Sequence, residues 1–185
     1  MEFLSQFHPQ IVHMPIALLV FSLLFDLVGR ATDSDWWRKA SLAMLVIAVL
    51  GCVAAVLTGE QVSEKAEGRQ GISEAVVDSH GDMGKIAAWL AGGALAARLV
   101  ENGVGPVRGL VGVVALLLQL GAAVAVGIAG HRGGQLVYEH GAGVSIDGRL
   151  LRAPSAAPEA GKGAAPDSVK APAGGEAKAP EEKGR

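Results

Sequence analysis

The stretch His8-Pro9-Gln10-Ile11-Val12-His13-Met14-Pro15-Ile16-Ala17-Leu18-Leu19-Val20-Phe21-Ser22-Leu23-Leu24-Phe25-Asp26-Leu27-Val28-Gly29 decides how the chain is read. A helix that crosses a hydrocarbon layer needs about 20 mainly apolar residues, and this run has that length if it starts at Pro9. Pro9 then occupies the first turn, where its missing N–H is no loss. Pro15 falls inside the helix, removes the backbone bond to Ile11 and is expected to bend it.

Three further apolar runs lie downstream, at about 40–58, 80–100 and 108–130, so the expected fold is all-α: a bundle of four transmembrane helices. The third run is the weakest, because residues 86–100 alone are short and carry Arg98 near their end. Ser79-His80-Gly81-Asp82 has the S-x-x-D form of a capping box, which would open that helix at His80 and give it the needed length. Lys85 and Arg98 would then extend their charges into the two headgroup layers. Residues 60–79, with Glu60, Glu64, Glu67, Glu74 and Asp78, are too polar to span and are expected to form a short surface helix or an ordered loop. Residues 131–141, punctuated by Gly133-Gly134, read as a folded-back loop. The expected organisation is a transmembrane domain over 1–152 and, over 153–185, a disordered tail of Ala, Pro, Gly, Lys and Glu, too poor in large apolar residues to offset its ordering entropy.

Composition agrees with lipid as the surroundings. Half of the residues are apolar but only 4% are aromatic, so Ala, Leu, Val and Gly carry the hydropathy, as where helices pack closely in a bilayer. The formal charge of −2 is spread without a long basic run, which argues against nucleic acid as a partner. The single cysteine, Cys52, lies in an apolar run, which excludes an intramolecular disulfide and disfavours a thiolate metal site. Met1 to His13 lack the Lys or Arg of a secretory signal, so the first helix is expected to be retained.

Four spans return the chain to its starting side. His8, His13, His80, His131 and His140 therefore share one face, while Arg30, Arg38, Lys39, Arg98 and Arg108 sit at the two short connections on the other. The positive-inside rule makes that second face cytoplasmic and places the histidines and both termini in the periplasm of a bacterial inner membrane. Trp36 and Trp37 then serve as an interfacial belt.

A neutral imidazole is a good ligand for haem iron, copper and zinc, and one at membrane depth is costly enough to suggest a function. His13 would lie roughly 6 Å below the helix start. His8 and His13, five residues apart, point roughly 140° away from each other on a continuous helix, so they do not easily share one small site. His13, His80 and His131 come from three different helix ends and are expected to converge across the bundle. Two histidines suit a b-type haem; histidines joined by Glu60 or Asp82 suit a small divalent ion. Gly92-Gly93, Gly112, Gly121 and Gly127 permit close helix packing, and Asp26 and Gln119 should face the interior in hydrogen bonds.

Two segments resemble a known family. His8-Pro9-Gln10-Ile11-Val12-His13-Met14-Pro15-Ile16-Ala17-Leu18-Leu19 is similar to the H-P-x-x-V-H-F-P-I-A-L-L opening of the bacterial membrane family called domain of unknown function 2231, with Met14 in place of Phe. Gly133-Gly134-Gln135-Leu136-Val137-Tyr138-Glu139-His140-Gly141-Ala142-Gly143-Val144 is similar to its second motif, G-G-x-L-V-Y-x-H-G-x-G-V. The resemblance implies a four-span inner-membrane protein, a redox or haem-associated module sometimes joined to cytochrome-type domains. His8, His13 and His140 stand at its motif histidines.

The leading functional expectation is a binding and electron-transfer module rather than a stand-alone enzyme. It would hold haem b through two of His13, His80 and His131 and pass electrons between quinone and a periplasmic carrier or respiratory complex. The alternatives are a non-haem copper, iron or zinc protein using the same histidines with Glu60 or Asp82, and a structural subunit of a membrane complex without cofactor. No serine or cysteine nucleophile motif suggests a hydrolase, and no charge ring or filter sequence suggests a channel.

Overall fold

The computed structural model describes residues 7–101, 108–146 and 149–150. The tail expected to be disordered lies outside these residues. Four long helices follow in order: α1 (His8–Ala31), α2 (Asp35–Gln70), α3 (Glu74–Glu101) and α4 (Arg108–Tyr138). A two-stranded antiparallel pair, β1 (Ser145–Ile146) with β2 (Arg149–Leu150), ends the described chain. All four helices are long and apolar enough to cross a membrane. α1 packs along α2, α3 along α4 and α2 along α3, and α1 also meets α4.

The packing is inverted relative to a soluble bundle. Its centre is rich in small and polar residues: Ala48, Ala87, Ala91, Ala94, Ala115 and Ala122 are buried beside Ser22, Asp26, Ser41 and Gln119, with Leu19 and Leu45 the only large apolar side chains fully buried among the described residues. Large apolar side chains face outward, with Trp89 80% exposed and Leu110 69%. Water would not tolerate so continuous an apolar exterior, whereas lipid does, and small inward residues let the helices approach. Buried positions recur in alternating steps of four and three: Pro15, Leu19, Ser22, Asp26 and Gly29 in α1, and Ala87, Ala91, Ala94, Arg98 and Glu101 in α3. Such a 3.5-residue repeat defines one continuous seam per helix.

Polar groups tie the seams together. Gln119 donates from Nε2 to Ser22 Oγ at 2.8 Å, Ser22 donates to the Leu19 carbonyl, and Ser41 Oγ donates to the Ser22 carbonyl at 2.7 Å, so α1, α2 and α4 are joined. Pro9 lies in the first turn of α1 and Pro15 inside it, as expected from the sequence. Pro15 nests on Gly51 of α2, where an added Cβ would lie 3.2 Å from the proline Cδ and 2.9 Å from Met14 Cε. Of the glycines read as packing contacts, Gly92 and Gly127 meet nothing, Gly93 and Gly121 meet leucine side chains, and Gly112 makes the closest approach.

Three boundaries differ from expectation. α2 does not stop near residue 58 but continues to Gln70, and Gly71 closes it in the left-handed conformation (φ 70°) with its N–H on the Glu67 carbonyl. α3 opens at Glu74, not His80. The Ser73 carbonyl accepts from Val76 and Val77, the position of an N-cap, while Ser79 sits inside the helix and donates to the Val76 carbonyl. α4 runs through the supposed loop to Tyr138, and Gly141 (φ 69°) closes it in the same way as Gly71 closes α2. Both closures lie at the histidine end, where Ala66, Ile72, Val77 and Leu136 form a small second core. Gln70 braces that end by donating to the Gly141 carbonyl and accepting from the Gly143 N–H, each at 2.9 Å.

Candidate functional site

Two histidines turn inward at one end of the bundle. His8 opens α1 and leans on α2, with Nδ1 2.9 Å from Thr58 Oγ1. The Thr58 hydroxyl also lies 2.8 Å from the Ala54 carbonyl, and with its proton directed there Oγ1 can accept from a His8 Nδ1–H. His80, on α3, leans on α4, with Nδ1 2.9 Å from the Ala129 carbonyl, which can only accept. In both rings Nδ1 is engaged with a neighbouring helix and Nε2 makes no hydrogen bond among the described residues. Each ring also lies over a glycine: a Cβ on Gly59 would come within 3.1 Å of His8 Cε1, and one on Gly133 within 3.0 Å of His80 Cε1. Arg132 fastens α4 to α3 beside them through Nη1 to the Ser79 carbonyl at 2.6 Å.

The other histidines are placed differently. His13 is exposed, and its Nδ1–H donates to the Pro9 carbonyl on its own helix. His131 is exposed on α4, and His140 is half-buried in the turn that follows. The structure therefore packs His8 against α2 and His80 against α4 and sets His13 and His131 on the outer surface. Glu60 and Asp82 are exposed as well. Among the described residues, no group of three or more His, Cys, Asp or Glu side chains lies close enough together to hold a metal ion.

The opposite end holds a buried ion network. Arg98 does not reach the headgroups as expected: its side chain is 5% exposed, and Nη1 lies 2.9 Å from both Asp26 Oδ1 and Glu101 Oε2. Arg30 contacts Asp26 at 2.9 Å and Glu101 at 3.1 Å, and Arg38 contacts Glu101 at 3.1 Å. The Asp26 Oδ1 contact with Arg98 is a charge contact without hydrogen-bond geometry. Arg98 also donates to the Arg38 carbonyl, so α1, α2 and α3 meet in one cluster. Gly112 of α4 makes room for it, since a Cβ there would sit 2.6 Å from Glu101 Oε1. Asp26 and Gln119 face the interior as the sequence suggested, but Glu101 was not singled out. The signals were present in the i, i+3 pair Arg98/Glu101 and the i, i+4 pair Asp26/Arg30.

Four long apolar helices with large apolar side chains outward and alanines, polar groups and a buried ion network inward define a four-helix membrane bundle. The chain belongs to the family whose model is described as "Predicted membrane protein (DUF2231)", which matches residues 5–146. No curated protein and no solved structure matches it. The second family motif now has structural content. Gly133 receives the His80 ring, Leu136 joins the small core, and Gly141 and Gly143 adopt left-handed conformations (φ 69° and 73°) that favour glycine.

Proposed function

We propose that this protein is a redox module of the bacterial inner membrane that binds a b-type haem through His8 and His80. One observation carries the reading: both imidazoles hold Nδ1 against an oxygen of a neighbouring helix, Thr58 Oγ1 or the Ala129 carbonyl, and leave Nε2 without a hydrogen bond among the described residues. A ligating histidine almost always donates its other N–H to such an acceptor, which sets the tautomer, orients the ring and raises the basicity of the ligating nitrogen. Thr58 and the Ala129 carbonyl fill that role here. Two ligands suit haem, whereas a non-haem copper, iron or zinc site would need a third, and the candidates Glu60 and Asp82 are exposed. When bound, the haem would supply one-electron chemistry; the chain would supply the two ligands and their orientation. Quinone and a periplasmic carrier or respiratory complex are the partners such a module would serve.

A reduced-minus-oxidised absorption spectrum of protein purified in detergent from haem-replete cells tests the proposal. A b-type signal near one haem per chain is expected; haem-free, folded protein would rule it out. That outcome would favour the second reading, a structural subunit in which His8–Thr58 and His80–Ala129 act only as interhelical clasps.

The same reading places the histidine end in the periplasm, because the short connections next to α1 and α3 hold Arg30, Arg38, Lys39, Arg98 and Arg108. Reporter fusions after Asp33 and after Gly143 should report cytoplasm and periplasm respectively. The reverse pattern would overturn the orientation.

A further inference from the structure

The end of the bundle remote from the histidines contains a cavity of about 290 Å³ lined by Asp35, Arg38, Lys39, Leu42, Arg98 and Arg108. We propose that this cavity binds a phosphate-bearing anion. The inference is independent of the haem reading.

The charges in and behind the wall are unbalanced. The lining has four cations and one carboxylate. Behind it, three guanidinium groups, Arg30, Arg38 and Arg98, share two carboxylates, Asp26 and Glu101, among the described residues, an excess of one positive charge. Lys39 and Arg108 make no ion pair among the described residues, so neither is committed elsewhere. Arg98 supplies a second kind of observation: its side chain is 95% buried, yet its Nε–H has no hydrogen-bond partner. A buried guanidinium N–H without an acceptor is costly, so this end of the bundle holds more cationic donor capacity than the described residues satisfy. Two helices, α2 and α4, also begin at this cavity, with Asp35 and Arg108 as their first residues, so two positive dipole ends add to the field.

An oxyanion with several acceptor oxygens matches this donor set, because guanidinium groups bind phosphate oxygens in pairs while an ammonium adds a point charge. The phosphate could belong to an anionic lipid headgroup, since the cavity lies at the end of the membrane-spanning helices, or to a soluble phosphate.

The full-length protein in neutral detergent tests this. Its Tm is followed in one arm against inorganic phosphate, with chloride at matched ionic strength as control, and in the other against phosphatidylglycerol, with phosphatidylcholine as control. Lys39→Gln, Arg108→Gln and the double variant are measured alongside; both residues are exposed and lie outside the ion network, so the fold is expected to be retained, which helical content checks. A saturable rise in Tm is expected in one arm, and that arm identifies the source. In the double variant the apparent Kd should weaken by roughly tenfold. No rise beyond the matched control in either arm, or a double variant that responds like the wild type, would overturn the proposal.

Discussion

Glu101→Gln is expected to destabilise the bundle by about 3 kcal/mol, within the range found when one partner of a buried ion pair is removed. Glu101 holds three guanidinium groups at 2.9–3.1 Å and its side chain is 3% exposed. Without its charge, Asp26 alone faces Arg30 and Arg98, and Arg38 loses its partner. The cost comes mostly from Arg98, because Arg30 and Arg38 keep 27% and 18% exposure and can draw on solvent or headgroups. The double variant Glu101→Leu with Arg98→Leu should recover much of the loss, since removing a buried pair together leaves little uncompensated charge. Chemical unfolding in mixed micelles measures both. A single variant within about 0.5 kcal/mol of wild type, the usual range for a surface change, would show that the network contributes little.

The ion network also shows where the sequence was easy to read and where it was not. Four spans follow from four apolar runs, because hydropathy over about 20 residues has few competing explanations. Boundaries depended on shorter signals that point in more than one direction. Ser79-His80-Gly81-Asp82 has the form of a capping box, but Gly71 and Ser73 already supply a helix stop and a new start, and a helix under way can accommodate a serine that bonds back to its own turn. Gly133-Gly134 looks like loop punctuation, yet Gly133 lies inside α4 beneath the His80 ring. Local composition cannot reveal a tertiary reason for a glycine.

The inward placement of His8 and His80 was legible through a different pattern, the seam. In α1 the buried positions Pro15, Ser22 and Gly29 fall at intervals of seven, and stepping back by seven reaches His8. In α3 the same step from Ala87, Ala94 and Glu101 reaches His80. His13 and His131 fall off their seams and are exposed. Reading depth along each helix, without its rotation, favoured His13 because it lies deeper; rotation decides which side chain faces a neighbour. The opposite directions expected of His8 and His13 are observed: one meets α2 and the other the surroundings.

This division gives the second large effect. If the Nε2 atoms of His8 and His80 are the ligands, His8→Ala or His80→Ala removes one of two coordination bonds and should lower haem affinity by at least the ten- to hundredfold that even loss of a supporting partner causes. Thr58→Val keeps the volume and removes the acceptor for His8 Nδ1–H, so a smaller loss in the same direction is expected. His13→Ala, His131→Ala and His140→Ala leave the pair intact. The most direct measurement is haem bound per folded chain across these histidine variants, with folding checked independently by helical content and elution in detergent. The account predicts near-wild-type occupancy in His13→Ala, His131→Ala and His140→Ala, and less than about a tenth of it in His8→Ala and His80→Ala. Full occupancy in folded His8→Ala and His80→Ala, or loss confined to His13→Ala, would contradict it.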